Sequence, residues 1–137
     1  MFERIVAAID ESDNAERVLT TVQELATLAG SEVWVVHALE REASKFGSPR
    51  IETPDDARAF ADAAAQKLTS AGITAHAEVV HTLYGHAARE ILSVAAARDA
   101  GVIVMGSRGR GELAGLLVGS TAHKVLHLAD RPVIVVR

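Results

Sequence analysis

The chain has 137 residues and no cysteine. Disulfides, thiolate metal sites and thiol catalysis are therefore excluded, and the composition fits a reducing compartment. Aromatic residues are scarce, with three Phe, one Tyr and one Trp, and the net charge is -4. Such a chain offers no basic, aromatic-studded face, so DNA and RNA are not expected as partners. No apolar run approaches the roughly twenty residues that span a bilayer, and Met1-Phe2-Glu3-Arg4-Ile5 lacks the apolar core of a secretory signal. No membrane association is expected, and the expected location is cytoplasmic. Enzyme signatures are missing as well. There is no G-x-x-x-x-G-K-[ST] for a Walker-type ATPase, no G-x-S-x-G to make Ser107 or Ser120 a nucleophile, and no H-E-x-x-H.

What is present points to one buried unit. A hydrophobic content of 49% over this length suits a single domain, residues 1–137, and is too little for two. The charge is uneven: residues 1–60 carry 12 acids and 6 bases, whereas residues 104–137 carry 2 acids and 5 bases. Arg108, Arg110 and Lys124 lie in the positive region, either to attract a polyphosphate or as solvated surface cations.

Apolar runs alternate with helical periodicity. Residues 5–9 read as a strand buried on both faces. Ala15, Val18, Leu19, Val22, Leu25, Ala26 and Ala29 then form a helical stripe, with Asp13 and Glu16 as a capping box and Gly30 at the stop. Residues 33–39 are a second strand, and residues 40–52 an exposed, mobile loop. Thr53-Pro54 opens a helix with Ala57, Phe60, Ala61, Ala64 and Leu68 on one face, ended by Gly72. A third strand covers 74–80. Gly85 precedes a helix with Ala88, Ile91, Leu92 and Ala95 inward, a fourth strand covers 102–105, and a last helix puts Ala122, Val125, Leu126 and Ala129 on one stripe and ends near Asp130. Pro132 begins a fifth strand. This βαβαβαβαβ order predicts an α/β fold with a mostly parallel sheet, right-handed crossovers and helices on both faces. In such sheets ligands bind beyond the carboxyl ends of the strands at the switch point, where Asp10, His37-Ala38 and Gly106 converge.

The most informative stretch is Met105-Gly106-Ser107-Arg108-Gly109, followed nine residues later by Gly119-Ser120-Thr121. It joins a buried strand to a helix through glycines that permit φ > 0 or close approach, and it ends in amides and hydroxyls at a helix N-terminus, where an anion is favoured. The spacing G-x2-G-x9-G-[ST], filled by Gly106, Gly109, Gly119 and Ser120, resembles the nucleotide-binding signature of the universal stress protein family. The resemblance runs over essentially the whole chain, from Ala8-Ile9-Asp10 through Val36-His37-Ala38 and residues 102–105 to Arg131-Pro132-Val133-Ile134-Val135-Val136.

That resemblance implies a Rossmann-like three-layer αβα sandwich with five strands in the order 3-2-1-4-5. It implies ATP as ligand, with magnesium as a companion ion. Asp10 would belong to the nucleotide site, Ala8 to a contact position and Ala38 to a position whose backbone faces the base. Gly106 and Gly109 would wrap ribose and phosphates, with Met105, Ser107 and Arg108 in the same binding site, and Gly119, Ser120 and Thr121 would cradle the polyphosphate. Family members commonly form homodimers through the terminal strand, here Pro132-Val133-Ile134-Val135-Val136, whose apolar edge needs a partner. Two positions depart from the pattern. Ala100-Gly101 stands where many members have Ala-Asp, and Ala122 stands where some binders have a hydroxyl, so one phosphate hydrogen bond fewer is expected.

Each residue also has a plainer role. Asp10 can organise its turn, His37 can be a buried structural imidazole, and Ser120 or Thr121 can cap a helix. His123 and His127 share a helix face but have no committed third ligand, and His76, His81 and His86 recur every five residues without making a committed metal site. Residues 109–114 match G-x-G-x-x-G/A by letter, yet they do not follow the first strand and lack the acidic partner. The leading functional expectation is a regulatory, nucleotide-dependent switch in the stress response, with an unspecified protein partner. Ligand would order residues 110–118. The alternatives are a slow ATPase or phosphoryl-transfer enzyme, for which no base beyond Asp10 or a histidine is evident, and a dimeric scaffold without nucleotide.

Overall fold

A computed structural model describes residues 1–41, 52–108 and 118–137. At its centre lies β1, Arg4–Ile9, in which every residue after Arg4 is buried. A strand with no solvated face needs a neighbour on each edge and a layer on each side. The edges are taken by β2, Glu32–Arg41, and β4, Val102–Gly106, both parallel to β1. Beyond them, β3, Thr74–Leu83, pairs with β2, and β5, Val133–Val136, pairs with β4. All these pairings are parallel, and the order is β3-β2-β1-β4-β5.

Alternation along the strands sorts the apolar residues into two cores. Ile5, Ala7, Ile9, Val33, Val35, Val102 and Val104 pack against α1, Ala15–Ala29, and α2, Pro54–Ser70. Val6, Ala8, Trp34, Val36, Ile103 and Met105 face the other way, toward α3, Ala87–Ala97, and α4, Ser120–Leu128. The result is a three-layer αβα arrangement, as expected.

Local chemistry explains the start of α2 and the end of α1. Thr53 caps α2 by accepting from the Asp56 N–H at 3.1 Å, while the Asp56 carboxylate accepts from the Thr53 N–H at 3.2 Å, and Pro54 occupies the first turn. Gly30 ends α1 with φ of 65°, a left-handed conformation that glycine adopts without penalty.

Several boundaries differ from the sequence reading. The start of α1 is Asn14, not Asp13; its φ/ψ of -85°/-12° is helical and no side chain caps it, so the expected Asp13–Glu16 capping box is absent. The preceding turn is held instead by Asp10, whose Oδ1 accepts from the Ser12 N–H at 3.0 Å. Strands β2 and β3 run on together to the pair Arg41 and Leu83, past the apolar core, because backbone pairing continues where burial stops. Leu126 is 46% exposed, since α4 has only nine residues and turns Ala122 and Val125 inward. The helix ends at Leu128, before Asp130. Most of the expected loop 40–52, and Gly109 with most of 110–118, lie outside the described residues. Among the described residues, no helix is long and apolar enough to cross a membrane.

Candidate functional site

The carboxyl ends of β1, β2 and β4 open into a crevice of about 620 Å³, counting its open mouth. This is the switch point, where the chain leaves β1 for one side of the sheet and β4 for the other. Ala8 and Asp10 of β1 and its following turn form the floor. The wall built by β2 and α3 is apolar at Val36, Ala38, Ala87 and Ile91, and carries one acid, Glu40. The opposite wall, from β4 and the start of α4, is contributed by Met105, Gly106, Arg108, Gly119, Thr121 and Ala122. Adjacent strands lie about 4.8 Å apart, so β2 and β4, on either side of β1, are separated by roughly 10 Å.

Glycine at 106 follows from crowding. Gly106 is not among the described glycines with positive φ, which are Gly30, Gly72 and Gly85. A Cβ on Gly106 would lie 2.8 Å from Nδ2 of Asn14. That Nδ2 donates to the Val136 carbonyl at 2.8 Å, and the Ser107 N–H donates to the same oxygen at 2.7 Å. The Ser107 carbonyl in turn accepts from the Gly119 N–H. Ser107 is thus a buried backbone bridge between β5 and the start of α4.

Gly119 has extended backbone, φ/ψ -71°/170°, and no side chain with which to cap α4. A helix N-terminus leaves several N–H groups without intrahelical partners and carries a partial positive charge. Here that end borders the crevice through Gly119, Thr121 and Ala122.

The structure therefore brings Ala8, Asp10, Ala38, Met105, Gly106, Arg108, Gly119 and Thr121 around one space. Ser107 and Ser120 are not among its lining residues, and Gly109 lies outside the described residues. His37 turns away from it. One ring nitrogen, Nδ1, faces the Ile9 carbonyl at 3.1 Å, the other faces Glu52 at 2.6 Å, and Phe60 packs edge-on against the ring. His37 is only 3% exposed, which fits the structural role. His76 meets Glu32 and stacks on Trp34, and the His123 and His127 rings stack on each other at 6.5 Å between centroids.

Sequence reasoning missed Ser12, Asn14, Glu40, Ala87 and Ile91 as crevice residues. The period of two along β2 was signal enough for Glu40, since it shares a face with Ala38. Nothing local announces Asn14, because its partner Val136 is 122 positions away.

The model of the Universal stress protein family matches residues 1–137. The chain belongs to this family. It is 34% identical to a universal stress protein of Thermus aquaticus over the full length of both chains. Among solved structures, a universal stress protein from Archaeoglobus fulgidus is 32% identical with a TM-score of 0.74, covering all of both chains. A universal stress protein from the same organism, in complex with dAMP, is 31% identical with a TM-score of 0.70, again over the whole of both chains. The five-stranded order β3-β2-β1-β4-β5 of this universal stress protein is thus a Rossmann-like α/β fold shared with its structural neighbours.

Proposed function

We propose that this universal stress protein is a regulatory adenine-nucleotide binder, with ATP as the ligand and the crevice at the ends of β1, β2 and β4 as the site. The observation that carries the reading is the meeting, in one space, of an apolar wall and a helix start that has no side-chain cap. An apolar wall suits a base, and a helix N-terminus without a side-chain cap suits phosphate. The relative solved with dAMP supports the same chemistry. Asp10 would face the ribose and the Ala38 backbone the base. Gly106, Arg108 and Gly109 would wrap ribose and phosphates, with Ser107 fixing the loop from behind, and Gly119, Ser120 and Thr121 would hold the polyphosphate. Magnesium would arrive on the phosphate oxygens. The whole chain, residues 1–137, would act as one cytoplasmic domain whose occupancy changes the surface shown to a protein partner, provided ATP favours one arrangement of the loop over another.

A homodimer through β5 belongs to the same proposal. This strand is a sheet edge, its residues are only half-buried, and edges of this kind need a partner.

Calorimetric titration of nucleotide-stripped protein with ATP and magnesium tests the site. Saturable heat near one ligand per chain is expected. Absence of heat at two temperatures, with an optical probe agreeing, would leave a dimeric scaffold as the better account, and a monodisperse monomer at micromolar concentration would remove the dimer.

A further inference from the structure

Glu40 is out of place in the wall it belongs to. It stands one residue from the end of β2, lines the crevice two positions after Ala38, and has Val36, Ala87 and Ile91 for neighbours in the lining. Those four side chains offer no hydrogen bond. A half-buried carboxylate beside them is costly unless its oxygens are used.

One oxygen is used. Glu40 Oε2 accepts from the Gly85 N–H at 3.0 Å. Gly85 has φ of 85°, and its own carbonyl accepts from Lys124 Nζ at 3.0 Å, so the peptides on both sides of it are held. The carboxylate is thereby anchored to a fixed amide. Its Oε1 makes no hydrogen bond among the described residues.

Resting on the nucleotide reading above, we propose that Glu40 is the residue that selects the base, favouring a purine with an amino group at its 6-position over one with an oxygen there. A fixed negative acceptor at the rim of an apolar slot accepts an exocyclic N–H and repels a carbonyl oxygen. Its position on β2, roughly 10 Å across the sheet from the strand bearing Gly106, sets it against a base rather than against phosphate.

The test compares ATP with ITP, which differ in the group at the 6-position and in the proton that N1 carries beside the oxygen, on nucleotide-stripped wild type, Glu40→Gln and Glu40→Ala. Glutamine keeps an oxygen for the Gly85 N–H while offering the base an amide in place of a charge. Calorimetry should give ATP binding at least about tenfold tighter than ITP in wild type, and the two within about threefold in both variants. Thermal unfolding of the variants in parallel reports whether the Gly85 brace is intact. A purely structural Glu40 would lower both affinities together; an unchanged ATP-to-ITP ratio therefore overturns the proposal and leaves nucleotide binding standing. If wild type binds neither nucleotide, the nucleotide reading fails and this one fails with it.

Discussion

The starts of α2 and α4 solve one problem in opposite ways. At α2 the orphan amides are met from within, by the Thr53 hydroxyl and the reciprocal Asp56 carboxylate, on an exposed stretch outside the crevice lining. At α4 the capping position is Gly119, buried and without a side chain, and it borders the crevice. A helix that only has to be stable closes its own end. One that starts without a side-chain cap beside a cavity presents the positive end of its dipole to that cavity. The start of α1 is intermediate, because Asn14 directs its amide to the Val136 carbonyl of β5 instead of to its own helix.

Making α4 resemble α2 is the strongest way to break this contrast. Gly119→Asp adds a good capping oxygen and a negative charge where phosphate is proposed to sit. Like charges 4 Å apart at an effective dielectric near 20 repel by about 4 kcal/mol, so ATP affinity should fall about a hundredfold or more. Urea unfolding should show stability unchanged or raised by a few tenths of a kcal/mol, roughly the gain of Asp over Gly at a cap. Retained affinity in the folded variant would mean that the uncapped start of α4 has no ligand role.

The converse change sharpens it. Thr53→Ala opens the self-closed start of α2 and should cost about 1 kcal/mol in urea unfolding, with ATP affinity unaltered. A parallel loss of binding would show that the two helix ends cannot be treated separately. The smallest effect is expected at α1. Asn14→Ala removes one of two donors to Val136, and because the Ser107 N–H remains, about 0.5–1 kcal/mol should be lost. No change in stability would count against the tie between α1 and β5.

Strand and helix order were legible in the sequence because the apolar runs and stripes are set by burial, which the alternation of β1 between the two cores bears out. Thr53-Pro54 was legible because its capping chemistry lies within a few residues. The start of α1 was not, since Asp10 and Asn14 act on a turn and on a distant strand, and the polar extension of β2 and β3 to Arg41 and Leu83 has no apolar signature. For the crevice, the strand-end positions Asp10, Ala38 and Gly106 could be anticipated from topology alone. Ser12, Asn14, Ala87 and Ile91 required knowing which helix faces which strand end, whereas Glu40 follows from the face it shares with Ala38 on β2.

The carbonyl of Val136 lies beneath this geometry with a consequence in time. It receives Asn14 from 122 positions earlier in the chain and Ser107 from the loop, and Ser107 in turn holds Gly119. Closing a span of that length adds little to the thermodynamic cost, which grows only with the logarithm of the span, but long-range contacts slow the approach to the native state. The first βαβ unit can form by local encounters, whereas the Ser107 and Asn14 contacts need the fifth strand in place. Ligand competence is therefore expected late in folding, and a probe seated in the crevice should then report completion of the whole sheet rather than of either half.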